Sequence, residues 1–394
     1  MIQAYQKLIY CLENTWGQKI LYSKDCNTLS DDIYQKIHVK ISSQTLRRVC
    51  GFIDDGVKIS KSTLRYLANY SGYENYEDLM VQSPENLKPI DSSDVKYIKL
   101  FYSINPIKSN QDENYHNASK NIAKILYKKP EILQYTSTYL SQSTAAQIYF
   151  FERFPFIDKL SSAYQLSLKK YLREKSNPEA QLYGNCLLYM GYALSNTTSK
   201  RTKILSIVNQ IPLDTSVHPF PLGRKFACNI LECYLNGEQQ ELENWIKLSV
   251  LEAATISKRK NEYNNFPYFQ FILSDVLNLI ERPVEAGEII NICELDYKRV
   301  PGFNLDEGYL EALDLVKAIN LFQQGKHKDA KRILARLQST DILFIMHDYF
   351  LIQRLIVELH FIKSEKSFKY KKMLHEINQL IEKTGFYFFK AKLK

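Results

Sequence analysis

"LDLVKAINLFQQGKHKDAKRILARL", residues 313–337, predicts two helices that pack against each other in antiparallel orientation. Ala318 lies in the first predicted helix, Gly325 at the turn and Ala330 in the second helix. The distance between two packed helices depends on the side chains at their contact, so the two alanines allow a close approach. Larger apolar residues fill the rest of the seam, namely Leu321, Ile333 and Leu334. The stretch therefore predicts a helical hairpin.

Similar breaks recur along the chain after about residue 95, at intervals of roughly 15 to 25 residues. "VLNLIERPVEAGEIINI", residues 276–292, is a degenerate second copy of the hairpin, with Ala286 near the start of its second helix. The alternation of polar and apolar residues that is typical of strands is nearly absent, and the 394 residues include only 13 Gly and 12 Pro. These features predict an all-α fold of antiparallel helical hairpins.

The hairpin at residues 313–337 resembles a tetratricopeptide repeat, although the tryptophan, leucine and glycine positions of that repeat's first helix are replaced. The resemblance implies that residues 95–394 form an α-solenoid, because such repeats bury their apolar faces only against their neighbours. It also implies that the inner groove binds a peptide or a partner protein. We expect any ligand site to lie on this inner face and to use no metal.

The chain before the solenoid divides into a helical module and a linker. Residues 82–94, "QSPENLKPIDSSD", contain two prolines and three serines, and we assign residues 83–94 as the linker. Residues 1–82 then form a small N-terminal bundle. Its first helix is amphipathic and lacks the uninterrupted apolar core of a signal peptide.

Two stretches of the N-terminal module carry a serine cap followed by apolar residues at helical spacing. "ISKSTLRYLANYSGY", residues 59–73, continues with Ala68 and has Gly72 before the next turn. "ISSQTLRRVCG", residues 41–51, places Ile41, Leu46 and Val49 on its apolar side. Together they resemble the repressor-type (Cro- and Xre-like) helix-turn-helix family, with the second stretch as its recognition helix. The resemblance implies a module that binds double-stranded DNA.

The outward face of this recognition helix and the lysines around it are the implied DNA contacts. Glutamine can pair bidentately with adenine and arginine with guanine, whereas lysines that contact phosphates set the register. Residues 36–65 carry seven basic and two acidic residues, against ten and nine in residues 1–83, so positive charge is concentrated there. The candidate contacts are Lys40, Ser42, Ser43, Gln44, Thr45, Arg47, Arg48, Lys58 and Lys61. The resemblance of the two parts of the chain to such families implies a bacterial, DNA-binding transcriptional regulator.

The turn before this helix departs from the family pattern. The family usually has a small Ala and a Gly there, where this chain has Tyr34 and His38, and the segment 33–41 is about two residues longer. The turn is therefore predicted to be extended or its first helix shifted. The competing hypothesis is a protein-interaction scaffold whose N-terminal module does not bind DNA. Burial of Arg47 and Arg48 favours the scaffold, and their exposure on one positive face favours the regulator.

No pattern in the chain indicates an enzyme. The seven histidines include no His-Glu-x-x-His arrangement, and the chain has no Gly-rich phosphate loop and no Cys-His nucleophile signature. We expect neither catalysis nor a bound metal or cofactor. No run approaches the roughly 18 apolar residues of a membrane span. We therefore expect a cytoplasmic protein without a membrane partner, either a monomer or a homodimer.

Aromatic residues cluster at three places, residues 149–156, 266–271 and 385–390. Aromatic side chains bury large apolar areas, so core packing is the favoured interpretation of all three. The alternative is that they line a groove for a ligand or a peptide.

Overall fold

Helices make up most of the chain that the structure describes. This computed structural model describes residues 5–18, 20, 22–82, 93–104, 107, 112–213, 217–257, 266–296, 308–338, 342–362 and 367–393. No strand is present within these ranges, so the prediction of an all-α fold is confirmed for them. The predicted linker, residues 83–94, lies outside the described residues except for its last two positions.

Contacts divide the chain into two compact units. Unit 1 comprises Met1–Arg153 and Leu166–Glu174, and unit 2 comprises Phe154–Gln165 and Lys175–Lys394. The chain thus leaves unit 1, returns to it for one stretch of helix and leaves it again. The residues immediately after the predicted linker belong to unit 1 in this division.

Unit 1 is built from short and medium helices. They are α1 (Gln6–Trp16), α2 (Asp25–Ile37), α3 (Ser43–Val49), α4 (Lys61–Tyr70), α5 (Tyr76–Gln82), α6 (Ser93–Ile104), α7 (Glu113–Lys128), α8 (Pro130–Gln142), α9 (Thr144–Ala146) with a π-helical turn at Gln147–Phe151, and α10 (Ala163–Glu174), of which Leu166–Glu174 belongs to this unit.

The first five helices surround one apolar core. Helix α1 packs on α4 and α5, and α2 packs on α3 and α4. The core side chains recur at helical spacing along each helix, so each helix presents one apolar face to its neighbours. Fully buried members of this core are Leu8, Leu12, Cys26, Leu29, Ile33, Leu46, Leu67, Ala68 and Leu79.

The remaining helices of unit 1 pack around aromatic residues. Helix α8 contacts α6 and α7, and the π-helical turn contacts α7 and α8. The rings of Tyr115 and Tyr149 lie 4.6 Å apart, and Ser119 Oγ donates to the Tyr149 carbonyl oxygen at 2.8 Å. Phe150 and Phe151 are fully buried. The part of the 149–156 cluster that lies in unit 1 is therefore core.

Unit 2 begins with a 3-10 turn, Ile157–Lys159, and continues as a series of longer helices. They are α11 (Pro178–Leu194), α12 (Thr198–Gln210), α13 (Pro219–Asn236), α14 (Gln239–Ser257), α15 (Tyr268–Leu279), α16 (Pro283–Asp296), α17 (Tyr309–Gln323), α18 (His327–Leu334), α19 (His347–His360) and α20 (Phe368–Thr384), with 3-10 turns at Phe344–Met346 and Tyr387–Leu393.

Successive helices of unit 2 pair as hairpins. Helix α11 packs on α12, α13 on α14, α15 on α16, α17 on α18 and α19 on α20. The first helices of the hairpins also pack on one another in order, α11 on α13, α13 on α15, α15 on α17 and α17 on α19. Each hairpin therefore completes its apolar core with the next one along the chain.

The first four hairpins turn at a residue in the left-handed conformation. These residues are Asn196, Gly237, Glu281 and Gly325, with φ of 57°, 72°, 61° and 77°. Such a residue reverses the chain after a helix by donating its amide back into the last turn. Their spacing is 41, 44 and 44 residues. This period exceeds the roughly 34 residues of a tetratricopeptide repeat.

A buried amide network joins two neighbouring hairpins. Asn278 Nδ2 donates to the Val316 carbonyl oxygen at 2.9 Å, and Asn320 Nδ2 donates to Asn278 Oδ1 at 3.1 Å. Asn320 also donates to the Pro283 carbonyl oxygen at 2.8 Å. Because buried amides are costly unless paired, this network fixes the position of α17 on α15 and α16.

Candidate nucleic-acid interface

The turn between α2 and α3, residues 38–42, closes without a glycine. His38 ends α2 in the left-handed conformation, with φ of 54°, and its amide donates to the Tyr34 carbonyl oxygen. Ser30 Oγ donates to the Ile41 carbonyl oxygen at 2.5 Å and ties the turn back to α2. His38 thus adopts a conformation that glycine adopts at lower cost.

Helix α3 is anchored by its apolar face. Leu46 is fully buried, Val49 is 1% exposed and Ile41, in the turn before the helix, is 5% exposed. These three residues were predicted to face the core, and the structure buries all of them. Gln44 lies on the solvent side of the same helix and is exposed.

Two serines start the helices of the candidate interface. Ser42 Oγ accepts from the Thr45 amide at 3.1 Å and lies 2.9 Å from Thr45 Oγ1. Ser60 Oγ accepts from the Thr63 amide, also at 3.1 Å, and so caps α4. Ser42 is exposed, whereas Ser43 and Thr45 are half-buried. The hydroxyls predicted to contact DNA therefore include one that already caps α3.

Arg48 is held by an acidic residue of the loop after α3. Its Nε donates to Asp55 Oδ1 and Oδ2 at 3.0 and 2.8 Å, and its Nη2 lies 2.7 Å from Asp55 Oδ2. The hydrogen bonds from Arg48 lower the pKa of the Asp55 carboxyl below its ordinary value. Asp55 Oδ1 also accepts from the Val57 amide at 3.2 Å, which fixes the loop itself.

Arg47 reaches back along α3 toward the start of α2. Its Nη2 donates to Asn27 Oδ1 at 2.9 Å, and its Nε donates to the Ser23 carbonyl oxygen at 3.2 Å. Arg47 and Arg48 are both half-buried. The sequence did not predict these partners. Ser23 lies 24 residues before Arg47, and Asp55 lies 7 residues after Arg48.

The lysines predicted to contact phosphate are all exposed. Lys40 lies in the turn before α3, Lys58 in the loop between α3 and α4, and Lys61 at the first position of α4. None of the three forms an ion pair with a described residue. Arg65, which the sequence did not single out, is also exposed and lies over the Tyr66 ring at 5.3 Å.

Helix α10 holds the end of α4 through an arginine that the sequence analysis missed. Arg173 Nη1 donates to the Tyr70 carbonyl oxygen at 2.8 Å, and Nη2 donates to the Asn69 carbonyl oxygen. These carbonyls belong to the last turn of α4, where helical partners are absent and a positive charge is favoured. Arg173 lies about a hundred positions after Asn69 and Tyr70 in the chain, so no local sequence pattern connects it to them.

A buried lysine lies one turn before Arg173 on the same helix. Lys170 Nζ donates to Ser137 Oγ at 3.0 Å and to Thr138 Oγ1 at 2.8 Å, both on α8. Burial lowers the pKa of Lys170 from 10.5 to about 8, because the ammonium loses its hydration. Lys170 and Arg173 together connect α10 to both α8 and α4.

The chain was compared with protein-family models, with characterised proteins and with solved structures. None of these comparisons gives a match.

The described residues lack both a metal-ligating group and a membrane-spanning helix. They contain no group of three His, Cys, Asp or Glu side chains arranged to hold a metal ion. In the same part of the chain, no helix combines the length and the apolar character needed to cross a membrane. What the surface around α3 presents is one exposed amide side chain, exposed lysines and two arginines held by neighbouring residues.

Proposed function

We propose that unit 1 binds double-stranded DNA through α3 and the lysines around it, and that the chain is a DNA-binding transcriptional regulator. The observation that carries this proposal is the orientation of α3. Leu46 and Val49 fix one face of the helix in the core, whereas Gln44 is exposed on another. A short helix anchored in this way can present its outer side chains to the edges of bases in the major groove.

The proposed contacts fall into two classes. Gln44 is the base-reading residue, because its amide can donate to and accept from the same adenine. Lys40, Lys58 and Lys61 contact phosphates, since they are exposed and form no ion pair with a described residue. Phosphate contacts release counterions, so each one makes binding more sensitive to salt.

Arg47 and Arg48 have a different part in this proposal. Asp55 holds the guanidinium of Arg48 and keeps its charge from DNA, whereas Arg47 fixes α3 on the start of α2. Arg47 therefore positions the surface. Ser42 and Thr45 act in the same way, through the cap of α3.

Unit 2 is the sensing part of the proposed regulator. Its hairpins pack in series, and stacked hairpins of this kind offer an extended surface to a peptide or a partner protein. The proposed regulator acts in the cytoplasm. A homodimer would place two copies of α3 on two half-sites about one DNA turn apart.

One observation favours the alternative of a protein-interaction scaffold whose N-terminal module does not bind DNA. Both arginines of α3 are half-buried and use their guanidinium groups within unit 1. In this alternative, Lys40, Lys58 and Lys61 belong to an ordinary solvated surface. Replacing them then has no effect on the affinity of the chain for DNA.

A salt titration of DNA binding separates the two proposals. Full-length wild type, the double variant K58Q/K61Q and the control K326Q/K328Q are titrated with a pool of genomic fragments at several salt concentrations. Lys326 and Lys328 are exposed lysines of unit 2, so the control has the same change in net charge. We expect the slope of log K against log salt to become less negative by about two in K58Q/K61Q, because each phosphate contact contributes about 0.9 to its magnitude.

The control should keep the slope of the wild type. A wild type that does not bind DNA at about 50 mM salt, where electrostatic contacts are strong, would contradict the proposal. Equal slopes for the two double variants would contradict it as well, since the lysines around α3 would then have no special role.

A further inference from the structure

Unit 2 contains a cavity between the first helices of its hairpins. Its empty volume is about 640 Å³, which includes space open to solvent. The helices that line it are α11, α13, α15 and α19, together with the 3-10 turns at the start of the unit and before α19.

The walls of this cavity are mainly apolar. Aromatic, aliphatic and sulfur-containing side chains come from all four helices, among them Leu194, Leu231, Phe271, Val276, Met346 and Phe350. Two charged side chains also line it, Arg224 on α13 and Asp275 on α15. Apolar walls with a few fixed polar groups are typical of sites that bind small organic molecules.

Among the described residues, Arg224 has no oxygen acceptor. Its guanidinium carbon lies 4.7 Å from the centre of the Phe220 ring, and Nη1 donates to Met190 Sδ at 3.5 Å. Its Nε is buried and has no hydrogen-bond partner. A thioether is a weak acceptor, so Nη1 is poorly satisfied and the buried Nε is unsatisfied. A buried donor without a partner is costly, and a ligand oxygen would remove that cost.

Asp275, by contrast, is well satisfied. Its Oδ2 accepts from the Tyr349 hydroxyl at 2.7 Å, and its Oδ1 accepts from Gln353 Nε2 at 3.2 Å. Burial raises the pKa of Asp275 to about 6, so the carboxylate is mainly ionised at neutral pH. The cavity therefore already contains a negative charge, on Asp275, to offset the positive charge of Arg224.

We propose that this cavity binds a small, net-neutral and mainly apolar molecule whose carbonyl oxygen accepts hydrogen bonds from Arg224. The apolar walls select an apolar body, and the unsatisfied guanidinium selects an oxygen acceptor. A carboxylate would meet both Arg224 and the ionised Asp275, which leaves one negative charge uncompensated in an apolar site. An ammonium group would meet the guanidinium with the same sign of charge.

The proposal concerns unit 2 alone and does not depend on whether unit 1 binds DNA. It is tested with three probes that share one apolar chain: octanamide, octanoate and octylammonium. Each is titrated calorimetrically into the full chain at pH 7.5. We expect octanamide to bind, and to bind more tightly than either charged probe. A peptide of apolar residues is titrated in parallel.

Two pairs of variants locate the binding. R224M removes the donors and keeps an unbranched side chain, and R332M makes the same change at Arg332, which is exposed on α18. A227L fills the cavity from α13 and leaves Arg224 in place, and A254L makes the same change at an exposed position of α14. Loss of hydrogen bonds from a charged donor should weaken octanamide binding by at least tenfold in R224M.

A227L should abolish binding of octanamide, whereas R332M and A254L should leave it unchanged. Because A227L keeps the arginine, it remains informative if R224M does not fold. The proposal is overturned if octanamide does not bind the wild type, if octanoate or octylammonium binds more tightly, or if only the peptide binds. Unchanged binding in a folded R224M or in A227L would overturn it equally.

Discussion

Asp55 is the residue that determines how much positive charge the loop after α3 can offer. It holds Arg48 through two hydrogen bonds from Nε, at 3.0 and 2.8 Å. In D55N the side chain keeps its size but loses its charge, so Arg48 is released toward solvent. We expect D55N to bind DNA more tightly than D54N by about tenfold, which is about 1.4 kcal/mol. The measurement is a titration with the same genomic fragments at fixed salt.

The control in this comparison is the neighbouring exposed Asp54. D54N removes one negative charge from the same loop without releasing an arginine, so general electrostatics cancel between the two variants. Equal affinities would show that Arg48 does not reach DNA even when it is free. A weaker D55N would show that the ion pair is needed to hold the loop in its binding conformation.

The sequence predicts which residues of α3 are buried better than it predicts which side chains form pairs. Leu46 and Val49 are three positions apart, and helical periodicity alone places both on one face, where the structure buries them. The pairing of Arg48 with Asp55 depends on the path of the loop between them, which contains Gly51 with φ of 78°. No periodic pattern describes such a loop, so the sequence could not show that these donors are occupied.

The start of α13 depends on a histidine that must stay neutral. His218 Nδ1 accepts from the Phe220 amide at 3.1 Å, and burial lowers the pKa of His218 from 6.5 to about 4. Between these pH values the unfolded chain takes up a proton that the folded chain does not. The stability that neutral His218 contributes is therefore fully present above about pH 6.5 and is lost as the pH falls toward 4.

An asparagine at this position can cap the helix but cannot titrate. We expect H218N to lose less stability than the wild type between pH 7 and pH 4.5, by about 2 kcal/mol, since one pH unit corresponds to about 1.4 kcal/mol. Urea unfolding of both proteins at the two pH values measures this difference. The control H375N changes an exposed histidine of α20 and should follow the wild type. Parallel losses in wild type and H218N would refute the account of this cap.

Helices could be predicted from the sequence where a local residue pattern marks the turn at which they end. The hairpin predicted at residues 313–337 has its helices at Tyr309–Gln323 and His327–Leu334, and its turn at Gly325. The turn at Glu281 was placed correctly although a glutamate rarely adopts a left-handed conformation.

The organisation of the whole chain depends on contacts that the sequence does not display. In unit 1, residues 95–153 group with the N-terminal helices. The basis of that grouping includes α10, whose Arg173 donates to carbonyls of α4 about a hundred residues earlier. The cavity of unit 2 is likewise assembled from helices spread between Pro178 and His360. Local patterns identify the helices but not which distant helices meet.

Gln44 on α3 is proposed to read bases in DNA, and selection of bound sequences from a DNA pool tests that claim. Full-length wild type, Q44A and K326Q/K328Q are each incubated with random double-stranded DNA at about 100 mM salt, and bound molecules are sequenced after several rounds. Wild type and K326Q/K328Q should enrich one common short motif. Q44A should enrich the same motif with the preference for adenine lost at one position, since a bidentate contact contributes about 1–3 kcal/mol of discrimination. Bound DNA with the same composition as the starting pool, or a motif that is identical in wild type and Q44A, would contradict the claim.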